Sequence, residues 1–185
     1  MNNTYQVISK TSGTIITVAE MKLYLRIDAD DDDALIEQLI NAAVKTAEKL
    51  MSRDLLTCVY ANLRSDLNQD LTLRRGGFLS VSGVQYMDDG VYTTVDEDDY
   101  TVTTSGVYGK VFKLDVPPFD EHPEAIKIVF SSGFGASGSD IPEDIVTAIK
   151  AHVALMYENR GDCDTPGISS LIYKNNAIVD INGVF

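Results

Sequence analysis

From Ala34 to Met51 the apolar residues Leu35, Ile36, Leu39, Ile40, Ala43, Ala47, Leu50 and Met51 recur at intervals of three and four. That spacing paints one continuous stripe on a helix of roughly five turns. It predicts a helix over 33–52. A shorter pattern precedes it, with Val18, Met21 and Leu25 on one face and Leu23 and Ile27 broadening the apolar surface. The start of that pattern is marked by TVAE at 17–20, a capping box in which Thr17 and Glu20 satisfy each other's backbone N–H groups. A helix is therefore expected over 17–27. A third stripe, Ile145, Ile149, Val153 and Met156, follows SDIPED. There Pro142 suits the first turn, Glu143 and Asp144 suit the positive end of the helix dipole, and Arg160 with Gly161 suits the end. This helix is expected over 142–160.

Between Leu55 and Ser132 the period changes. Short β-branched and aromatic clusters (LSVSGVQYM, VYTTV, YTVTT, GKVFKL, IKIVFSS) are separated by turn signals. Asp89-Gly90 between two such clusters reads as a hairpin turn, and Pro117-Pro118 fits a loop or a strand edge. The pattern implies an antiparallel β-unit of five or six strands, inserted over 55–132. Residues 162–185 are too apolar for a simple disordered tail and too broken to extend the helix, which is the texture of a docking arm. The expected class is α+β: about three helices in a small bundle, a β-insertion and an extended C-terminal arm, all in one domain.

Composition changes this picture in one respect. An apolar fraction of 44% is ample for a core, but 28 acidic residues against 15 basic ones leave a net charge of −13. Such a chain has little charge with which to displace counterions from DNA phosphates. An acidic wall around a channel would instead keep a passing duplex from sticking. Cys58 and Cys163 form no C-x-x-C pair and read as reduced thiols. The N-terminal residues show no signal-peptide pattern and no stretch is long enough to span a bilayer, so a cytoplasmic site of synthesis is expected.

Three stretches invite a chemical reading. RIDADDDDALIEQLI at 26–40 resembles a calcium loop only until the register is tried. With Asp28, Asp30 and Asp32 at the first ligand positions, Asp33 stands where the sharp turn needs glycine and Leu39 where a bidentate glutamate is needed. The better reading is that Asp32 or Asp33 caps the second helix, where negative charge is favoured. GFGASG at 133–138 has the spacing of a dinucleotide loop, but its helix restarts beyond Ser139-Asp140-Ile141-Pro142, too late to offer its amides to a pyrophosphate. His122 falls in a loop context and His152 beside an apolar stripe, so neither announces a metal site. No nucleophile elbow or carboxylate pair stands out. No catalysis, cofactor or metal is expected.

LYLRIDADDDDALIEQLINAAVKTAEKLMSRDL, followed beyond the β-rich part by IVFSSGFG and IPEDIVTAIKAHVALMYENRG, resembles the head–tail connector (adaptor) proteins of tailed phages and prophages. The resemblance covers about residues 15–57 and 128–161. It rests on an L-x-x-L-R-[IV]-D helix end, an L-I-x-x-L-I-x-A-A helix, a [ST]-x-G-[YF]-G loop and a Y-E-N-R ending, in that order. Met51-Ser52 departs from it, because relatives commonly carry Thr-Gly before Arg53.

The resemblance implies a structural protein of the virion neck, made in the bacterial host cytoplasm. It would form a ring of about twelve copies in the virion, seated beneath the portal protein and followed by a stopper or tail protein. DNA would pass through without specific binding. It further implies a C-terminal segment reaching the portal, giving Ile172, Tyr173, Ile178, Val179 and Ile181 a docking role. Tyr157, Glu158, Asn159 and Arg160 become contacts to the bundle or a neighbouring subunit, and Leu25, Leu35, Ile36, Leu39, Ile40 and Ile149 become core. Asp28, Asp30 and Asp31 are one set of acids suited to line the channel. Two rivals remain at this point: a stopper or tail-completion protein at another level of the neck, and a nucleotide- or small-ligand-binding enzyme built on the glycine loop.

Overall fold

The computed structural model describes residues 3–67, 71–112 and 114–159. The chain divides into two compact units that interleave along the sequence. One takes residues 1–11 and 57–134 and holds all the strands described; the other takes 12–56 and 135–185 and holds the α-helices described.

The β-unit has eight strands: β1 (Asn3–Lys10), β2 (Cys58–Arg64), β3 (Thr72–Leu73), β4 (Phe78–Asp88), β5 (Val91–Thr94), β6 (Thr101–Ser105), β7 (Tyr108–Phe112) and β8 (Ile126–Ser132). Five form an antiparallel sheet in the order β1-β2-β8-β4-β5, and three form a second in the order β3-β7-β6. β8 lies at the centre of the larger sheet and shows the period of two at its clearest. Ile126, Ile128, Phe130 and Ser132 are buried, while Lys127, Val129 and Ser131 are half-buried. The core on that face joins Cys58 and Tyr60 of β2, Val84 of β4 and the three β8 side chains to Leu73 and Val111 of the smaller sheet. Phe130 is its hub, with ring centroids 5.7 Å from Tyr60, 6.2 Å from Tyr5 and 6.5 Å from Phe78.

Asp89 (φ 48°) and Gly90 (φ 77°) both take left-handed conformations in the two-residue turn between β4 and β5, where the Asp-Gly signal puts a hairpin. β2 also buries two polar side chains beyond Tyr60. They satisfy each other, the Arg64 Nε donating to Asn62 Oδ1 at 2.5 Å and its Nη2 to the Thr72 carbonyl at 3.0 Å.

β1 went unread in the sequence. It pairs along its length with β2, yet most of its side chains face solvent, Val7 and Ile8 among them, so no alternation advertises it. Tyr5 anchors it. Its ring packs edge-on against Phe130, its hydroxyl accepts from the Arg74 N–H at 2.8 Å, and the Arg75 guanidinium lies 5.5 Å from its centroid.

The helical unit contains α1 (Val18–Leu25), α2 (Asp33–Met51) and α3 (Glu143–Glu158). α2 buries Ile36, Ile40, Ala43, Ala47 and Met51, and α3 buries Ile145, Ala148, Ile149 and Val153. These two stripes face each other, with α1 against both. Leu25, Leu35 and Leu39, read as core from the sequence, are half-buried at its edge.

The capping box forms as read: Thr17 Oγ1 accepts from the Glu20 N–H, and Glu20 accepts from the Thr17 N–H at 2.8 Å. The Thr17 N–H and then the Thr17 hydroxyl, both donating to the Glu20 carboxylate, hold it below its ordinary pKa. α1 stops at Leu25, short of Ile27, because Arg26 turns left-handed (φ 59°) and the Ile27 N–H closes back on the Lys22 carbonyl. α2 ends the same way at Ser52 (φ 52°), with the Arg53 N–H closing on Glu48. Serine thus adopts the backbone that glycine takes more cheaply. Pro142 precedes α3 at its cap position rather than sitting inside the first turn.

Candidate interface of the helical unit

The aspartates between α1 and α2 are partly spoken for. Lys22, on α1, reaches Asp30 at 2.5 Å and Asp33 at 2.9 Å. The hydrogen bonds to Asp30 and then Asp33 raise the Lys22 pKa, and the same lysine lowers that of Asp30. Asp32 stands at the cap position of α2, but its side chain makes no capping bond. The expected cap position is filled by Asp32, while the expected side-chain capping bond is not made. Asp33 is the first residue of α2, and the Asp32 carboxylate accepts instead from the Tyr157 hydroxyl of α3. A cation on α1 and a phenol on α3 therefore converge on one acidic junction that joins all three helices. Asp28, Asp30 and Asp31 remain exposed.

Tyr157 is half-buried through that bond. Asn159 ends α3 by bonding its amide to the Leu155 carbonyl at 2.9 Å. Arg160, Ile172, Tyr173, Ile178, Val179 and Ile181 lie outside the described residues. Long-range pairing of this kind left no periodic mark: Asp32 and Tyr157 are 125 positions apart. Lys22 and Asp30 are separated by a chain reversal rather than by one helical turn.

The glycine loop is closed upon itself. The Gly133 N–H donates to the Gly77 carbonyl at 2.8 Å. The Ser137 N–H donates to Asp140 Oδ2 at 2.9 Å, and Ser137 Oγ receives the Ser139 N–H at 3.4 Å. A side chain at Gly135 would collide with the Asp140 carboxylate. The Gly133, Ser137 and Ser139 amides are thus engaged with the protein, and the Asp140 carboxylate occupies the loop where an anion would have to sit. His122 has a local task, its Nδ1 accepting the Glu124 N–H at 3.1 Å. His152 is half-buried on α3, and burial pushes its pKa down. Among the described residues no three His, Cys, Asp or Glu side chains converge as metal ligands would.

Two features lie on the surface of the helical unit. A groove of about 360 Å³ lies along α2, lined by Ile15, Val18, Glu37, Ile40, Asn41 and Val44 among others. Leu23 of α1 projects into solvent with 82% of its surface exposed, beside Tyr24 at 47%. Leu23 widens the apolar surface of α1 on the side away from Val18, Met21 and Leu25. With Val18, Met21 and Leu25 turned to the bundle, position 23 falls on the far side of a helix of 3.6 residues per turn.

The helical unit thus combines a bundle joined through Lys22, Tyr157 and the aspartates with a groove along α2 and an exposed Leu23. The family model described as "Head completion protein" matches residues 14–167, and the chain belongs to that family. That family is one of head completion, the step its description names. A comparison with curated proteins finds no match.

Similar solved structures come from gene transfer agent particles. A chain of "Neck of empty GTA particle computed with C6 symmetry" has a TM-score of 0.73 at 20% identity, over 97% of this chain and 98% of that one. A chain of "Virion of native gene transfer agent (GTA) particle" gives 0.76 at 22%, over 96% of each. One of "Neck of native GTA particle computed with C12 symmetry" gives 0.73 at 22%, over 97% and 98%. The shared fold spans both units.

Proposed function

We propose that the protein is a ring-forming head–tail adaptor, non-enzymatic, that sits below the portal, extends the DNA channel and presents a surface to a stopper or tail protein. The observation that carries this reading is the family model, which runs unbroken across the helical and β segments from residue 14 to residue 167. Near-complete fold similarity to chains from particles described as necks, one computed with twelve-fold symmetry, supports a ring. The acidity supports a channel that DNA traverses without adhering, since 28 acids against 15 bases repel phosphates. Asp28 and Asp31, exposed and next to the junction, are the acids proposed for that wall, with Asp30 shared with Lys22. Assembly takes place in the bacterial host cytoplasm, and no helix among the described residues is long and apolar enough to cross a membrane. Residues 162–185, with Ile172, Tyr173, Ile178, Val179 and Ile181, are proposed to dock on the portal, while Tyr157 and Arg160 serve contacts at the end of α3.

The test is to delete the gene from a particle-producing strain. Filled heads without tails, restored to whole particles when the protein is supplied, are expected. Normal tailed particles in its absence would overturn the proposal. A chain ending at residue 164 should form rings yet fail to join portal-bearing heads; unchanged joining would remove the arm from the mechanism.

A further inference from the structure

We infer that Leu23 of one copy seats in the groove beside α2 of the next, so that α1 serves as the ridge and α2 as the hole of a head-to-tail contact between copies of this chain. The inference rests on the ring reading above and specifies its contact. A closed ring needs two different, complementary surfaces on opposite sides of each protomer. α1 separates two such surfaces. Val18 lines the groove, and five residues further on the helix has turned by about 140°, so Leu23 projects away from it.

The groove lies on a stripe of α2 next to its buried one. Glu37, Ile40, Asn41 and Val44 line it at helical spacing, with Ile15 on the facing segment. At about 360 Å³ it is ample for a leucine side chain.

Charge agrees with shape. Copies of a chain with net charge −13 repel one another, so association needs both apolar burial and local opposite charge. Arg26, exposed three residues beyond Leu23, makes no ion pair among the described residues. Glu37, exposed at the groove, makes none either. The ridge therefore offers an apolar knob beside a cation, and the groove a mixed lining of Ile15, Val18, Ile40 and Val44 with polar residues and an anion, neither charge being paired among the described residues.

Cross-linking tests this in assembled particles, using full-length chains with Cys163→Ser and either Leu23→Cys or Asn41→Cys. Cys58 is buried and stays silent. Particles assembled from a mixture of the two chains should yield a cross-linked pair on oxidation. Particles built from either chain alone should not. Leu23→Asp should weaken ring incorporation by about tenfold or more with an unchanged melting temperature, because Leu23 is exposed in the free chain. Arg26→Glu should weaken it less and be rescued by Glu37→Arg. Rings seen by electron microscopy without the mixed cross-link would overturn this contact and leave the adaptor reading standing. A Leu23→Cys chain that cross-links to itself would also overturn it, in favour of a two-fold contact. Particles with no ring of this protein would remove both.

Discussion

The caps and buried stripes of the helical unit follow its own periodicity, even though Asp32 and Tyr157 bring distant helices together. Ile36, Ile40, Ala43 and Ala47 fall on one stripe of α2, and Thr17 with Glu20 closes the start of α1. The β-unit depends on residues brought from afar: Tyr5 of β1, Tyr60 of β2, Phe78 of β4 and Phe130 of β8 meet around one ring. A helix satisfies its own backbone and needs a neighbour only for one face. A strand needs partners for its backbone as well as its side chains. Damage should therefore remain local in the first unit's caps and spread across several strands in the second.

Phe130→Ala should produce the largest effect, about 3–5 kcal/mol for a buried aromatic at the centre of a core. Hydrogen exchange followed by mass spectrometry should show lost protection in β2, β4 and β8. Equal loss throughout α2 and α3 would break the division into two units. Tyr157→Phe removes only the hydroxyl that meets Asp32 and should cost about 1.5–2 kcal/mol in denaturant titration. No cost would mean that the acidic junction contributes nothing to the bundle.

Thr17→Ala should cost about 1 kcal/mol through the lost cap, with increased exchange confined to α1. Ser52→Gly should go the other way, by about 0.5–1 kcal/mol, since glycine relieves the left-handed strain at the end of α2. A loss of stability there would show that the serine side chain matters more than its backbone.

The smallest expected effect depends on pH. Burial depresses the pKa of His152 in the folded state, while the unfolded chain keeps a value near the ordinary ~6.5. Below that value the unfolded state binds the proton more readily, so stability is full above about pH 6.5 and declines as pH falls through the folded pKa. His152→Gln should flatten the melting temperature between pH 7.5 and 5.5. An unchanged slope would assign the pH dependence to another group.

The hairpin turn at Asp89-Gly90 and the cap at Thr17 were readable because each is chosen by a few adjacent residues with their own steric or hydrogen-bonding logic. Asp32 was read into the right position with the wrong partner, for its competitor Tyr157 is brought near only when α3 folds back. The glycine loop matches a dinucleotide loop in its glycines, and the late restart of its helix already argued against a phosphate. What closes it is where Asp140 and Ser137 point, which spacing does not encode.

By itself the sequence determined the three amphipathic helices, the change to a two-residue period and the surplus of negative charge, because each is a property of neighbouring residues. Only the tertiary structure decided that the first strand completes a sheet begun beyond residue 57, that Leu23 is left outside, and that Lys22 and Tyr157 divide the aspartates between them. Those outcomes depend on which distant segments compete for the same backbone edge, the same apolar face or the same carboxylate, and that competition takes place in three dimensions.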